Sequence, residues 1–259
     1  MSDSRSAGSL RVTFLGTGDP FGSGGRMQSA VLLDAGAAGS FLLDCGGTTL
    51  LALARAEIDP DTIDAVLISH FHGDHFGGVP LLLLDLVANR DGDRAIRPRP
   101  LTIAGPAGSE QRLREAMALF RWEEAFAAAE RMDLLRFVEL GPDQPGSVGP
   151  LRAEPFAAVH TPEALMFRLT LAGRTIAYSG DTAWTEAIVP LSAGADLFIC
   201  QCYTFSLSQD TMLSHAELMA QRKRLSCRRI VLTHIGAELE RHRGEAGELL
   251  AEDGMTVTL

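Results

Sequence analysis

Cysteine is thin in this chain of 259 residues: there are four, and no two are spaced as Cys-x-x-Cys. That excludes a disulfide-stapled scaffold and fits a reduced, intracellular setting. A basic excess is also missing. The 23 basic residues are outnumbered by 33 acidic ones, leaving a net charge of −10. Binding to long nucleic acid, which needs a basic face, is therefore not expected. A small anionic substrate held by a local positive centre is compatible with that charge. Long apolar runs are absent as well. Val79 to Leu84, with Leu86 and Val87 beyond Asp85, falls far short of the ~18 residues needed to span a bilayer. The first ten residues, MSDSRSAGSL, have no apolar core of a secretion signal. A soluble, cytoplasmic protein with no membrane partner is expected. There is no fixed-period repeat, no low-complexity tract and no break in composition. A chain this long buries roughly 70–75% of its unfolded surface and needs no staples.

What is present reads as strands and helices in two successive sets. Leu10–Leu15 is a β-branched and aromatic run closed by Gly16-Thr17-Gly18. Ala30–Leu33 and Phe41–Leu43 flank a small-residue loop and predict a hairpin. Thr48–Ala56 predicts a helix ending before Pro60. Ala65–Ser69 is short, apolar and unbroken, as in a strand buried on both faces. A leucine-rich helix is predicted from Pro80 to Ala88, a strand at Leu101–Ala104, and a helix or helix pair over Ser109–Arg131 capped by Ser109. The three glycines and three prolines between Gly141 and Pro150 predict a surface loop. Strands are predicted at 155–160, 165–171, 174–178, 196–200, 229–233 and 255–259, and helices at 184–191 and 214–225. Strand-rich halves each followed by helices suggest an α/β sandwich: two sheets with helices outside.

Histidine is scarce, seven in all, yet three fall in Ser69-His70-Phe71-His72-Gly73-Asp74-His75. His70 and His72 are two apart just past a buried strand, so both rings can leave the sheet edge in one direction. Gly73 permits a sharp turn, after which Asp74 and His75 can aim into the same space. Neutral imidazoles with carboxylates suit Zn²⁺ best, with Mn²⁺ or Fe²⁺ as alternatives. Cys200 and Cys202 alternate on a strand and read as buried small hydrophobes. Gly22-Ser23-Gly24-Gly25 reads as a loop near the site mouth. Arg222-Lys223-Arg224 reads as a solvated helix end.

The His-x-His-x-Asp-His cluster, followed by His160, Asp181 in Ser179-Gly180-Asp181-Thr182, and His234 at the end of Val231-Leu232-Thr233, resembles the metallo-β-lactamase superfamily. The resemblance runs from Val12-Thr13-Phe14-Leu15-Gly16-Thr17-Gly18 to His234. It implies one αββα metallo-β-lactamase domain over 1–259, with two mixed β-sheets and helices on the outer faces. It also implies a dinuclear centre of two zinc ions per chain. His70, His72 and His160 would hold one metal, Asp74, His75 and His234 the second, and Asp181 would bridge them. The match is similar in style to the tRNase Z branch, through Phe14-Leu15-Gly16-Thr17-Gly18, Leu42-Leu43-Asp44-Cys45-Gly46 and the late histidine. By that likeness Asp44 orients a ligand histidine, and His215 is a catalytic proton donor or phosphate contact.

Three differences separate the chain from members that process tRNA. Only twenty residues lie between His160 and Asp181, so the long arm inserted there is missing. The glutamate expected to pair with His215 stands as Gln201. Asp44-Cys45-Gly46 continues as Gly47-Thr48-Thr49 without an acidic residue. These, with the −10 charge, point to hydrolysis of a small phosphodiester. Asp74 would orient the attacking water and His215 would protonate the leaving group. The same centre could serve a lactone, thioester or amide, or a cofactor-biosynthesis or oxidoreductase variant of the fold. Substrate choice is assigned to loops 16–29 and 85–99, and a homodimer is left open.

Overall fold

The computed structural model describes residues 9–88, 97 and 99–259. Most of the 85–99 loop therefore lies outside the described residues. Two seven-stranded mixed sheets face one another. The first is built from β1 (Arg11–Gly16), β2 (Ala30–Asp34), β3 (Ser40–Leu43), β4 (Ala65–Leu67), β5 (Leu101–Gly105), β6 (Leu135–Glu139) and β14 (Thr256–Thr258), in the order β14-β1-β2-β3-β4-β5-β6. The second is built from β7 (Gly146–Val148), β8 (Leu151–Ala157), β9 (Leu165–Leu171), β10 (Arg174–Tyr178), β11 (Leu197–Gln201), β12 (Ile230–Thr233) and β13 (Leu249–Leu250), in the order β13-β12-β11-β10-β9-β8-β7. Each sheet is antiparallel on one side and parallel on the other, β3 to β6 in the first and β10 to β13 in the second.

Alternation along each strand divides the apolar residues into three layers. Val31, Leu33, Leu43 and Leu67 meet Phe167, Ile176 and Ile199 between the sheets. Their neighbours Leu32, Leu42, Val66 and Ile68 face outward, where α1 (Thr49–Arg55), α3 (Val79–Ala88), α4 (Ser109–Leu119) and α5 (Glu123–Arg131) cover them. On the far side Phe198, Cys200 and Leu232 pack under α6 (Ile188–Ser192), α7 (His215–Gln221) and α8 (Ala237–Arg241). The strands are apolar on both faces because both faces are covered. Cys200 and Cys202 share the outer layer as buried, free thiols. Among the described residues no helix is long and apolar enough to cross a membrane.

Local differences from the sequence reading have local causes. The 141–150 segment is not all loop: Gly149-Pro150, with Gly149 at φ 58°, closes a hairpin between β7 and β8. Ser109 does not cap its helix. Its hydroxyl donates to the Pro106 carbonyl, and Gly108, at φ 86°, occupies the cap position. The 109–131 stretch is a helix pair, broken at Arg121 with φ 64°. β8 ends at Ala157, so His160 stands in the turn beyond the strand. β6, at the sheet edge, has too weak an alternation to be seen in sequence.

Candidate metal centre

The active edge lies where the parallel strands end, the usual place for sites in open α/β sheets. β4 runs into His70 and His72, and the short helix α2 (Gly73–Phe76) carries Asp74 and His75. β10 leads to Asp181 and β12 to His234. Two residues at these strand ends adopt left-handed backbone: Asp44 at φ 56° and His234 at φ 58°. Such conformations cost of order 1–3 kcal/mol each and persist where the surroundings enforce them. Gly46 is required by close approach, since a Cβ there would lie 2.3 Å from the Asp74 carbonyl oxygen.

The seven side chains read from the sequence converge into two groups. His70, His72 and His160 form one, and Asp74, His75, Asp181 and His234 the other; within each, the candidate donor atoms lie within 4.8 Å of one another. Asp181 Oδ2 touches both, at 3.4 Å from His75 Nε2, 3.2 Å from His234 Nε2 and 4.0 Å from His160 Nε2. Asp74 Oδ2 lies 3.1 Å from His234 Nε2 and 3.4 Å from His75 Nε2. His160 Nε2 is 3.0 Å from His72 Nδ1, and its Nδ1 meets the Thr211 carbonyl at 3.0 Å.

Whether these residues fit a cation can be tested on their unpaired atoms. His70 Nε2, His75 Nε2 and Asp181 Oδ1 are all buried without a hydrogen-bond partner. An orphaned buried polar atom costs about 1–3 kcal/mol. Three in one cluster fit a group of donors built for a positive ion. The opposite ring nitrogens are fixed by the protein. Ser69 Oγ gives its only proton to Asp44 Oδ2 (2.7 Å), so it accepts from His70 Nδ1 (3.0 Å). His75 Nδ1 donates to the same Asp44 oxygen at 2.7 Å. Both rings thus present a bare Nε2 to the cluster, the arrangement by which a supporting carboxylate orients metal-binding imidazoles.

The field of the site favours positive charge. Burial, then the neighbouring His75, push the His70 imidazole down to about 2, keeping it neutral. Burial opposes protonation of His75, but Asp181 and Asp44 outweigh it and raise that pKa well above the ordinary value. Burial also works against ionisation of Asp74, yet hydrogen bonds from His234 and His75 hold it below the usual carboxylate range. Asp181 behaves likewise, through the charges of His234 and His75.

Sequence reasoning missed two parts of this support. Tyr178 OH donates to Asp44 Oδ2 at 2.6 Å, and the Ser69 amide donates to Asp44 Oδ1 at 2.7 Å. The Tyr178 phenol is pushed well above its usual pKa by burial and by Asp44, so it remains a donor. The expected Gln201–His215 pair is not formed. Gln201 Oε1 accepts from the Leu213 amide (3.2 Å) and the Thr182 amide (3.4 Å), which turns it toward backbone. His215 does not join the seven-residue cluster. Its ring stacks on Phe205 at 5.1 Å, and the carboxylate that influences it is Glu248. Two residues of the basic run 222–224 are spent on ion pairs, Arg222 with Glu248 and Arg224 with Glu186.

Residues 10–252 match the family described as Anti-Pycsar protein Apyc1. The chain belongs to that family. It is similar to ribonuclease Z of Anoxybacillus flavithermus, 30% identical, covering 96% of this chain and 93% of that protein. Its fold is shared with the metallo-β-lactamase fold protein YhfI from Bacillus subtilis, with a TM-score of 0.75 at 23% identity over 96% of this chain and 99% of the other. It is shared equally with a diphosphatase of the PhnP family, with a TM-score of 0.75 at 19% identity over 96% and 97%. This member of the family is thus a metallo-β-lactamase superfamily hydrolase related to ribonuclease Z, and its histidine–aspartate cluster could hold a metal ion.

Proposed function

We propose that this chain hydrolyses a small phosphodiester at a dinuclear centre. The observation that carries the reading is the convergence of five imidazoles and two carboxylates with three buried donor atoms left unpaired. His70, His72 and His160 would hold one ion, Asp74, His75 and His234 the other, and Asp181 would bridge them. Zinc suits this nitrogen and oxygen donor set, with manganese or iron as alternatives. When bound, two such ions lower the pKa of water and stabilise charge on the phosphoryl oxygens.

The remaining work belongs to side chains. Asp74, held ionised by His234 and His75, is too weak a base to strip a proton unaided and instead orients the attacking water. His215 is proposed to return a proton to the leaving oxygen. It opens α7 at the end of the 202–214 loop, whose Thr211 carbonyl meets His160, and its Nε2 is buried without a partner. A small substrate is supported by the plain β9–β10 hairpin, which turns at Ala172-Gly173 where an arm would be inserted. It is also supported by a relative described as a diphosphatase.

Assaying the metal-loaded protein on bis-p-nitrophenyl phosphate, a lactone panel and dioxygen consumption tests the reading. Chelator-sensitive cleavage of the diester is expected. Lactone hydrolysis or dioxygen uptake with an inert diester would overturn it.

A further inference from the structure

We propose that Gln201 is a positioning residue for His160: its one side-chain oxygen joins the two tethers that hold this histidine to the turn carrying Asp181. This rests on the dinuclear reading above and concerns how one set of its ligands is kept in place. Gln201 ends β11 and is buried. Its backbone amide donates to Ser179 Oγ at 2.7 Å, and its Oε1 accepts from the Thr182 amide at 3.4 Å. It therefore grips the Ser179-Gly180-Asp181-Thr182 turn on both sides of the aspartate. The turn is confined from its other side too, since a Cβ on Gly180 would lie 2.7 Å from the Ser69 Cβ.

One tether of His160 is backbone. Thr182 Oγ1 accepts from the Val159 amide at 3.0 Å, and the Ala183 amide donates to the Val159 carbonyl at 3.0 Å, which fixes the residue directly before His160. The other tether acts on the ring, where Nδ1 meets the Thr211 carbonyl at 3.0 Å. A carbonyl can only accept, so Nδ1 carries the proton and Nε2 is left bare. That bare nitrogen is the one on the cluster side, 4.0 Å from Asp181 Oδ2. Thr211 belongs to the loop between β11 and α7. Two residues further on, the Leu213 amide donates to Gln201 Oε1 at 3.2 Å. Both tethers thus end on one oxygen.

Among the described residues neither the Thr182 nor the Leu213 amide has a second acceptor. Gln201 Nε2 faces the Met212 sulfur at 3.9 Å, a weak acceptor, so the oxygen carries the role. Without that oxygen two buried amides must find new partners, and one side of the contact has to move. Residues 206–211 are exposed whereas Thr182 is buried at the end of the sheet, so the loop is the side that yields. Its movement takes the Thr211 carbonyl away from His160. The ring is then free to carry its proton on Nε2, the nitrogen that has to stay bare for a cation.

Zinc titration of the metal-free full chain, in competition with a chromogenic chelator, tests the role without turnover. Gln201→Leu should weaken one ion by roughly 10-fold, the low end of the cost of losing a ligand's support, because the carbonyl is displaced rather than removed. The weakened ion should be the one that His160→Ala loses. Gln201→Asn, a methylene too short to reach both amides, should behave alike and serves if the leucine variant does not fold. Gln201→Glu keeps an oxygen for both amides and should restore wild-type affinity. Imidazole nitrogen NMR of the metal-free proteins gives a second readout. His160 should carry its proton on Nδ1 in wild type and Gln201→Glu, and show mixed tautomers in Gln201→Leu or Gln201→Asn. Wild-type affinity in the leucine and asparagine variants, equal weakening of both ions, an equal loss in Gln201→Glu, or an unchanged tautomer would overturn the role of Gln201. Fewer than one tightly held ion in wild type would instead overturn the dinuclear reading.

Discussion

Replacing Asp44 by Asn should leave the fold in place and weaken metal binding, because the substitution acts on a single proton position. Asp44 Oδ1 accepts from the Ser69 amide, and Oδ2 accepts from Ser69 Oγ, His75 Nδ1 and Tyr178 OH, all between 2.6 and 2.7 Å. Asparagine tolerates the φ of 56° at this position. Its oxygen must face the Ser69 amide, whose hydrogen cannot turn away. Its NH₂ then points at three former donors. The Ser69 and Tyr178 hydroxyls can rotate to accept. His75 can accept only by moving its proton from Nδ1 to Nε2, the nitrogen that faces the cluster. Loss of such a support typically lowers metal affinity 10- to 100-fold, about 1.4–2.8 kcal/mol. Competition against a zinc-binding chromophore measures it. An affinity within twofold of wild type, in a folded protein, would refute the role given to Asp44.

Other outcomes follow from the same contacts. Tyr178→Phe removes one buried hydrogen bond to Asp44 while keeping the ring in the core; a loss of about 1 kcal/mol, seen as a fall of a few degrees in Tm, is expected. His215→Ala should lower kcat on a diester with a poor leaving group by roughly 10²–10⁴-fold and hardly at all with p-nitrophenolate; equal loss on both would assign His215 to binding instead. Burial holds the His215 pKa below its ordinary 6.5 while Glu248 pulls it upward. The unfolded chain therefore takes up this proton first, and stability is lost as the pH falls through about 6.5. Denaturant titrations between pH 7 and 5 should show a steeper acid loss in Glu248→Gln and a shallower one in His215→Phe.

The sandwich was legible because its strands are apolar on both faces and their lengths are bounded by glycine turns. The cluster was legible where its residues are contiguous, from His70 to His75, and through resemblance where they are not. What escaped depends on tertiary geometry. Tyr178 reaches Asp44 across 134 residues of chain, and nothing near either residue marks the contact. Gln201 looked like a partner for His215, but two backbone amides claim its carbonyl first. Glu248, the acidic neighbour His215 does have, sits beside a two-residue strand with no sequence signature.

The central claim is a centre shared by two ions and joined by Asp181. Elemental analysis of protein purified without chelator, for wild type and for Asp181→Ala, tests it most directly. Close to two metals per chain are expected in wild type, with both lost together in Asp181→Ala because its carboxylate reaches His75, His234 and His160 alike. Fewer than one tightly held ion in wild type, or two ions retained by a folded Asp181→Ala, would contradict it.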